Sequence, residues 1–394
     1  MHGSGVVFLR LYKDRRAIST SGLIVFSAGH DADMLVAGIP AAARVVREAR
    51  MAGLLACEVN GGEGWQPAAT TRAEVERLGG AMPVTFSPPP LGRQGLYAVI
   101  RGDALPAAQA IADAVAGRNE PVDGVEIASG AGIEDALARA LAAGREGAAR
   151  LAAASRAILR STAKPTDGIV SRHINRPLSQ AISSLALRVP GFRPVHATIG
   201  TAVIALVMFA CLLLGGPTGL IAGALLFQAA SIFDGVDGEV ARATWRTSAE
   251  GARMDSLIDA ATNLCFLLGV ALNLLFQNRV GAAALGFLGL GLLAIGLLMI
   301  GRAAARSNAP FSFDLVKEHY RAKGATSAAG RGQDAARPSQ IMQWLTFMTS
   351  RDFFALVFAL LIAMGLAAQV LALFAIAAAG WLVAVILALM PKRA

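Results

Sequence analysis

The sequence contains little charge. Only 16% of its 394 residues are Asp, Glu, Lys or Arg, whereas 55% are hydrophobic, a balance well to the apolar side of soluble domains. Residues 1–193 carry charge at ordinary density, but residues 194–390 contain long runs nearly free of it. The composition therefore predicts a membrane protein with one domain in water and one in the lipid bilayer.

Aromatic residues and cysteines are also scarce. Aromatics make up 6% of the chain, and the net charge of +9 comes without a basic stripe interleaved with aromatics, which argues against nucleic acid as a partner. Cys57, Cys211 and Cys265 are widely separated, so neither a disulfide framework nor a zinc site has support. Because the first residues do not have the order of a secretory signal, we expect the first domain to be cytosolic.

Six apolar runs are candidate membrane spans, since a hydrocarbon core of ~30 Å requires roughly 20 apolar helical residues. With a cytosolic first domain, six spans place nearly all Lys and Arg residues of the connections inside. This predicts a multi-pass protein of the inner (cytoplasmic) membrane with a long, flexible connection at 302–352. The candidate spans lie at about 195–215, 218–240, 255–277, 280–301, 353–368 and 371–390.

The segment 165–193 is too polar to cross a membrane. Its apolar residues recur at roughly helical spacing beside Arg172 and Arg176, which predicts an amphipathic helix at the membrane surface.

The first domain, residues 1–160, alternates short apolar strand candidates with Ala-rich helical stretches, the rhythm of an α/β fold. An Ala-rich helix from about 132 to 162 is expected to lead into a membrane domain at 164–394. The strand candidates are 23–26, 54–59 and 96–100, and the helical stretches are about 40–52, 70–79, 105–116 and 132–160.

Four aspartates cluster where the second span ends and the third begins. Asp234 and Asp237 are three residues apart, and Asp255 and Asp259 four apart, so each helix presents both carboxylates on one face. Four unpaired charges in a membrane would cost on the order of 10 kcal/mol, which hard cations such as Mg²⁺, Mn²⁺ or Ca²⁺ would offset. The alternative is a set of ordinary salt bridges with three arginines: Arg242, Arg246 and Arg253.

This segment resembles the CDP-alcohol phosphotransferase motif D-x2-D-G-x2-A-R-x8-G-x3-D-x3-D. With average residue usage, eight accidental matches are on the order of 10⁻¹⁰ per starting position. The resemblance covers roughly 164–390 and implies six transmembrane helices, a preceding surface helix and a homodimer. The matching positions are Asp234, Asp237, Gly238, Ala241, Arg242, Gly251, Asp255 and Asp259.

The resemblance also implies a reaction. Asp234, Asp237 and Asp255 would hold one or two Mg²⁺ or Mn²⁺ ions on the diphosphate of a CDP-alcohol donor, with Ca²⁺ as an inhibitory occupant. Asp259 would lie near a metal and act as the general base that deprotonates an acceptor hydroxyl. The reaction releases CMP, in phospholipid or polyol phosphodiester synthesis.

Small and basic residues of the motif have two interpretations each. Gly238, Ala241 and Gly251 admit either a nucleotide or a neighbouring helix. Arg242 and Arg246 suit substrate phosphate, although Arg246 is equally explained by anchoring at the membrane surface.

Residues 164–179 resemble the segment before the first span in family members that make phosphodiesters of inositol. Lys164, Arg172 and Arg176 would then bind the phosphate of a phosphorylated polyol acceptor such as inositol phosphate. Anchoring to lipid headgroups is the alternative.

In those members the N-terminal domain is a nucleotidyltransferase that makes the CDP-alcohol, and residues 22–54 resemble its opening. No Arg or Lys lies between Gly29 and Gly38, where a triphosphate needs one. Asp103 lies either at the position of a metal-binding aspartate or at a helix cap. We therefore predict a degenerate, Rossmann-like nucleotidyltransferase fold.

Three other functions compete. A bifunctional enzyme would still make its CDP-alcohol from CTP, which the missing basic residues disfavour. A transporter or channel would distribute acids along several spans, and a scaffold with a dead active site would lack a motif aspartate. All four aspartates are present in one segment.

Overall fold

The computed structural model of the chain describes residues 20–86, 95–118, 121–164, 167–307 and 351–389. The predicted flexible connection at 302–352 lies mostly outside these described residues.

Contacts divide the chain into two compact units. The first unit is the α/β part together with two short segments from the membrane half of the sequence: Met1–Thr162, Ser183–Arg193 and Glu239–Arg246. The second unit is helical and contains the remainder: Ala163–Ile182, Pro194–Gly238 and Thr247–Ala394.

The first unit is built on a five-stranded sheet of order β5-β4-β1-β6-β7. Strand β7 runs antiparallel to β6, the other neighbours are parallel, and β2 and β3 form a separate hairpin. The predicted α/β fold is confirmed, and its sheet is largely parallel. The strands are β1 (Thr20–Val25), β2 (Leu35–Val36), β3 (Ile39–Pro40), β4 (Cys57–Asn60), β5 (Val84–Phe86), β6 (Leu96–Arg101) and β7 (Val125–Ser129).

Helices cover the sheet and bury small residues against it. One face of the second helix is fully buried alanine and valine, including Ala42, Val45 and Ala49, because small side chains let its backbone lie close to the strands. The helices are α1 (Gly29–Asp33), α2 (Ala41–Met51), α3 (Ala69–Gly79), α4 (Ala108–Ala116), α5 (Gly132–Ala143) and α6 (Gly147–Ser161).

The continuous helix predicted from 132 to 162 is wrong. The chain breaks into α5 and α6 at a 3₁₀ turn, Gly144–Glu146. A Cβ atom at Gly144 would overlap the side chain of Ser27, whose hydroxyl donates to the carbonyl of Leu141 at 2.7 Å. Close packing against the loop after β1 thus ends the helix where composition alone favours its continuation.

The second unit begins with a π-helical turn, Ser171–Asn175. Five of the described helices, α8, α9, α10, α11 and α13, are long and apolar enough to cross a bilayer, so this part of the protein is membrane-embedded. The fifth predicted span corresponds to α12, a shorter apolar helix. The helices are α7 (Arg176–Ala186), α8 (Pro194–Leu214), α9 (Gly216–Ala243), α10 (Ala249–Phe276), α11 (Val280–Ser307), α12 (Arg351–Ala363) and α13 (Ala367–Leu389).

Side chains of α10 fix it to the neighbouring spans. Asn273 is buried and its amide donates to the carbonyls of Leu212 and Gly216, at 2.6 and 2.9 Å. Leu212 lies in the last turn of α8, where carbonyls lack helical partners, and Gly216 is the first residue of α9. The rings of Phe227 on α9 and Phe266 on α10 stack at 3.9 Å. Helices α8, α9 and α10 are thereby held together.

The predicted surface helix exposes apolar side chains. Ile174, Leu178 and Leu185 are between 38% and 61% exposed, whereas Val170 is buried. An exposed apolar face on a short helix is typical of a segment that lies on a bilayer.

We expect Gly102→Ala to destabilise the first unit by about 1–3 kcal/mol, because its new methyl group overpacks the core. The Cβ atom would overlap the ring of Phe26, which is 1% exposed. Thermal unfolding of the detergent-purified protein measures the effect. Gly132→Ala is the control, since nothing lies within 4 Å of its Cβ position, and equal unfolding temperatures for both variants would contradict the packing.

Candidate active site

Three of the four predicted aspartates meet in the second unit. Asp234 and Asp237 lie on α9, and Asp255 lies near the start of α10, within hydrogen-bond distance of both. Asp237 is only 8% exposed. Carboxylates this close repel one another unless protons or a cation are shared between them.

The donor set fits a hard divalent ion. It consists of carboxylate oxygens from two helices, the ligands that Mg²⁺, Mn²⁺ and Ca²⁺ prefer. Within the described residues, no group of three or more His, Cys, Asp or Glu side chains already has the geometry of a metal site. Asp255 lies within hydrogen-bond distance of the other two carboxylates, so the three side chains form one cluster.

Asp259 lies one turn beyond Asp255 on α10. Residues four apart on a helix share a face and are separated by about 6 Å along its axis. Asp259 is half-buried, so the structure places it beside the carboxylate cluster and farther along the span.

Thr198 supports the cluster and was missed by the sequence reasoning. Its hydroxyl lies 2.9 Å from Oδ2 of Asp237 and 3.2 Å from the carbonyl oxygen of Pro194. Thr198 is 4% exposed in the first turns of α8. A hydroxyl at the start of an otherwise apolar span was the available signal, because a buried hydroxyl needs a hydrogen-bond partner.

Arg176 reaches α9 beside the aspartates. Its Nη1 atom lies 3.1 Å from the position that a Cβ atom on Gly235 would occupy. Asp167 holds the guanidinium, accepting from Nε at 2.7 Å and from Nη2 at 3.0 Å. Burial acts to raise the pKa of Asp167, but the hydrogen bonds from Arg176 and from the Lys164 amide outweigh it and lower that pKa. Asp167 was not predicted as a site residue.

The other predicted basic residues of this segment lie in exposed positions. Arg172 is exposed within the π-helical turn, and Lys164 is exposed before it. The structure brings Arg176 to α9, whereas exposed positions for Arg172 and Lys164 are compatible with both the phosphate and the headgroup interpretations.

A polar network fixes α9 one turn before Asp234. Asn175 donates to Ser231 at 3.3 Å and accepts from the amide of Gln228 at 2.9 Å. The Ser231 hydroxyl in turn donates to Asp352 at 2.8 Å. Hydrogen bonds between membrane helices fix their relative rotation, so this network orients the face of α9 that carries the aspartates.

The second half of the chain matches a family model described as CDP-alcohol phosphatidyltransferase, over residues 194–391. This chain belongs to that family. The resemblance predicted from the motif is therefore confirmed. Members of the family generally depend on divalent metal ions.

Curated relatives share the name "Bifunctional IPC transferase and DIPP synthase". The one from Thermococcus kodakarensis is 39% identical over 115 residues, 29% of this chain and 25% of the relative. The one from Aquifex aeolicus is 39% identical over 108 residues, 27% and 24% respectively. The alignment thus spans about a quarter of the length of these relatives.

The small residues of the motif lie near the end of α9 and at the start of α10. Gly251 is exposed in the first turn of α10, and its amide donates to the capping hydroxyl of Ser248 at 3.0 Å. A Cβ atom at Gly251 would meet only this hydroxyl within 4 Å, so helix packing does not explain the glycine. Gly238 and Ala241 are half-buried on α9.

Arg242, the arginine of the motif, belongs to the first unit. Arg242 lies in the last turn of α9, and its Nε donates to the carbonyl of Thr162 at 2.8 Å. Arg246 follows the helix and forms an ion pair with Glu74. These contacts account for part of what each guanidinium binds, and the role of each in phosphate binding stays a prediction.

In the α/β unit, the order of the strands reverses between β1 and β6. This is where open sheets of this type bind ligands. Asp103 is buried there and ion-paired with Arg101 and Arg150. It is not a helix cap, because the cap position of its 3₁₀ turn is Arg101. Burial raises the pKa of Asp31, whose carboxylate lies near that of Asp103.

We expect Thr198→Val to raise the Mg²⁺ or Mn²⁺ concentration required for half-saturation by about tenfold, since residues that orient ligands typically contribute 10- to 100-fold to metal affinity. Calorimetric titration of the purified protein with Mn²⁺ measures this. Thr201→Val is the matched control, because its hydroxyl bonds to the carbonyl of Ala197 on its own helix. Equal affinities for both variants would show that Thr198 does not position Asp237.

Proposed function

We propose that this chain transfers the phosphoalcohol group of a CDP-alcohol to an acceptor hydroxyl and releases CMP. The observation that carries the proposal is the meeting of Asp234, Asp237 and Asp255 within hydrogen-bond distance. They belong to a motif that is complete in the sequence, in a chain of the CDP-alcohol phosphatidyltransferase family.

These three aspartates would hold one or two divalent ions, Mg²⁺ or Mn²⁺. Bound there, the ions supply positive charge to the donor diphosphate and stabilise the leaving phosphate of CMP. Thr198 orients Asp237 through its hydroxyl. The open space beside Gly251 supports a close approach of the nucleotide at the start of α10.

Asp259 is the proposed general base. It accepts the proton of the acceptor hydroxyl as that oxygen attacks the phosphorus bonded to the alcohol. The bond from this phosphorus to the oxygen of CMP then breaks, so one phosphoester bond forms while the diphosphate bond is lost.

Arg176 is the proposed anchor for a phosphate on the acceptor, with Arg172 and Lys164 as further contacts. Its guanidinium is fixed by Asp167 and lies next to the aspartate helix at Gly235. A planar guanidinium suits phosphate oxygens. This supports a phosphorylated polyol, such as inositol phosphate, as the acceptor class.

In the membrane we propose six spans, with α12 contributing the fifth, and a homodimer as in the family. The positive-inside count supports a cytoplasmic active site in the inner membrane.

For the α/β unit we propose a degenerate nucleotidyltransferase fold. Its own side chains lie at the carboxyl ends of three strands. Trp65 packs against Gly29 and Gly61, after β1 and β4, where Cβ atoms would overlap the indole, and Arg150 pairs with Asp103 after β6. In an active nucleotidyltransferase, Asp103 would hold a metal ion, but here it pairs with Arg150. This disfavours the alternative in which the α/β unit also makes the CDP-alcohol.

We expect Asp259→Asn to lower turnover by about 10²- to 10⁴-fold, the usual contribution of a general base, while metal-dependent binding of the CDP-alcohol persists. Asp234→Asn should weaken metal and donor binding together, because it removes charge that the ion requires. CMP release and donor binding are measured side by side on purified protein, with and without chelator.

Asp135→Asn, an exposed aspartate on α5, serves as the control for this comparison. Full turnover in the presence of excess chelator would overturn the proposed function. Near-normal turnover of Asp259→Asn would remove the assignment of that residue alone.

We expect no pyrophosphate release when the full-length protein is incubated with CTP and a panel of sugar or polyol phosphates. The Asp255→Asn background prevents consumption of any CDP-alcohol formed. Pyrophosphate release at an enzyme-like rate that disappears in Asp103→Ala would show that the α/β unit is an active nucleotidyltransferase.

A further inference from the structure

The helix that carries Asp234 and Asp237 ends in an unusual cap. The amide of Arg246 donates to the carbonyl of Ala241 at 2.9 Å, and the amide of Trp245 donates to that of Arg242 at 3.5 Å. This pair of bonds is a Schellman motif, which requires a left-handed residue after the helix. That residue is Trp245, with φ of 50°.

Tryptophan is disfavoured at this left-handed position. Glycine is the preferred residue because a side chain on a left-handed residue crowds the backbone. A bulky residue in this conformation persists only where its surroundings hold it, and such outliers concentrate at functional sites. The contacts of Trp245 therefore indicate why tryptophan is present.

Two arginines of α2 hold the indole ring. The guanidinium carbons of Arg44 and Arg47 lie 4.7 and 4.1 Å from its centre, within the range of cation–π attraction. Arg44 is 4% exposed, and burial lowers its pKa to about 9, so it is still charged at neutral pH.

Arg44 also binds the helix end itself. It donates to the carbonyl of Ala243 at 2.7 Å, and to the carbonyls of Val36 and Ala37 in the β2–β3 hairpin at 2.6 and 3.0 Å. The last carbonyls of a helix lack helical partners and carry partial negative charge. A buried guanidinium thus ties the end of α9 to the hairpin.

Arg77, on α3, also binds a carbonyl at the end of α9. Arg77 donates to the carbonyl of Thr244 at 3.1 Å and pairs with Glu74 at 2.6 Å. Glu74 also pairs with Arg246. Four residues of α2 and α3 therefore bind every residue from Ala243 to Arg246.

We propose that Arg44, Arg47, Glu74 and Arg77 are positioning residues for the transferase reaction, acting through the end of α9. This inference rests on the proposed function. Ala243 lies six residues after Asp237 on the same helix, about 9 Å along its axis. A rotation or fraying of the last turn is transmitted to the aspartates, and a displacement of about 1 Å can reduce turnover by about 10²-fold.

Trp245→Gly tests the inference. Glycine suits the left-handed position better than tryptophan, so a purely local capping role predicts unchanged or higher stability and unchanged turnover. Loss of the indole should instead lower kcat for CMP release by about tenfold. Trp245→Phe retains a ring for the two arginines and should recover most of the activity.

Hydrogen exchange of the backbone amides provides a readout independent of activity. In Trp245→Gly and Arg77→Met, exchange should accelerate across 239–246 while strands β1, β4 and β6 keep their protection. Arg139→Met is the control, since it removes an exposed ion pair with Glu126 in the same unit.

The outcomes separate the two proposals. Absence of CMP release from the unmodified protein with a panel of donors and acceptors would count against the proposed function. Faster exchange at 239–246 in the variants would still show that these side chains of α2 and α3 hold the end of α9. An active protein whose Trp245→Gly and Arg77→Met variants match Arg139→Met in kcat and in exchange would overturn the positioning role.

Discussion

The repulsion among Asp234, Asp237 and Asp255 is the constraint on which the site depends. Three carboxylates at hydrogen-bond distance, in helices suited to a bilayer, gain stability from a shared cation or proton. The surrounding polar side chains are arranged to keep the carboxylates together. Thr198 fixes one of them directly, and the network of Asn175, Gln228, Ser231 and Asp352 fixes the rotation of α9.

The same helix is held at its other end by a different kind of interaction. Within the membrane segment, side-chain hydrogen bonds and stacked rings set its packing, whereas at Ala243 and Thr244 two arginines bind backbone carbonyls. A guanidinium can do this because its donors are fixed in a planar fork and its charge complements the helix end. The aspartates therefore lie on a helix that is constrained before and after them.

The α/β unit supplies polar contacts to the end of α9. Two of its aspartates are bound by its own side chains, since Asp103 pairs with Arg150 and Asp33 accepts from the indole of Trp65 at 2.9 Å. Arg44 on its second helix and Arg77 on its third helix donate to backbone carbonyls at the end of α9. Without these contacts, the carbonyls of Ala243 and Thr244 would lose hydrogen bonds and the left-handed Trp245 would lose the arginines that flank its ring.

The family, the four aspartates and their spacing on two helices could be predicted from the sequence, because a motif of eight fixed positions and helical periodicity are properties of the chain alone. The sequence also predicted the strands at 23–26, 54–59 and 96–100. Only the tertiary structure decided that Thr198 and Asp167 support the site, that the Ala-rich helix breaks at Gly144, and that Arg44 binds the carbonyl of Ala243. The contacts of Thr198, Gly144 and Arg44 join residues distant in sequence. Asp167 is only nine residues from Arg176, but their hydrogen bonds depend on the path of the chain between them. Neither kind of contact can be read from the local sequence pattern.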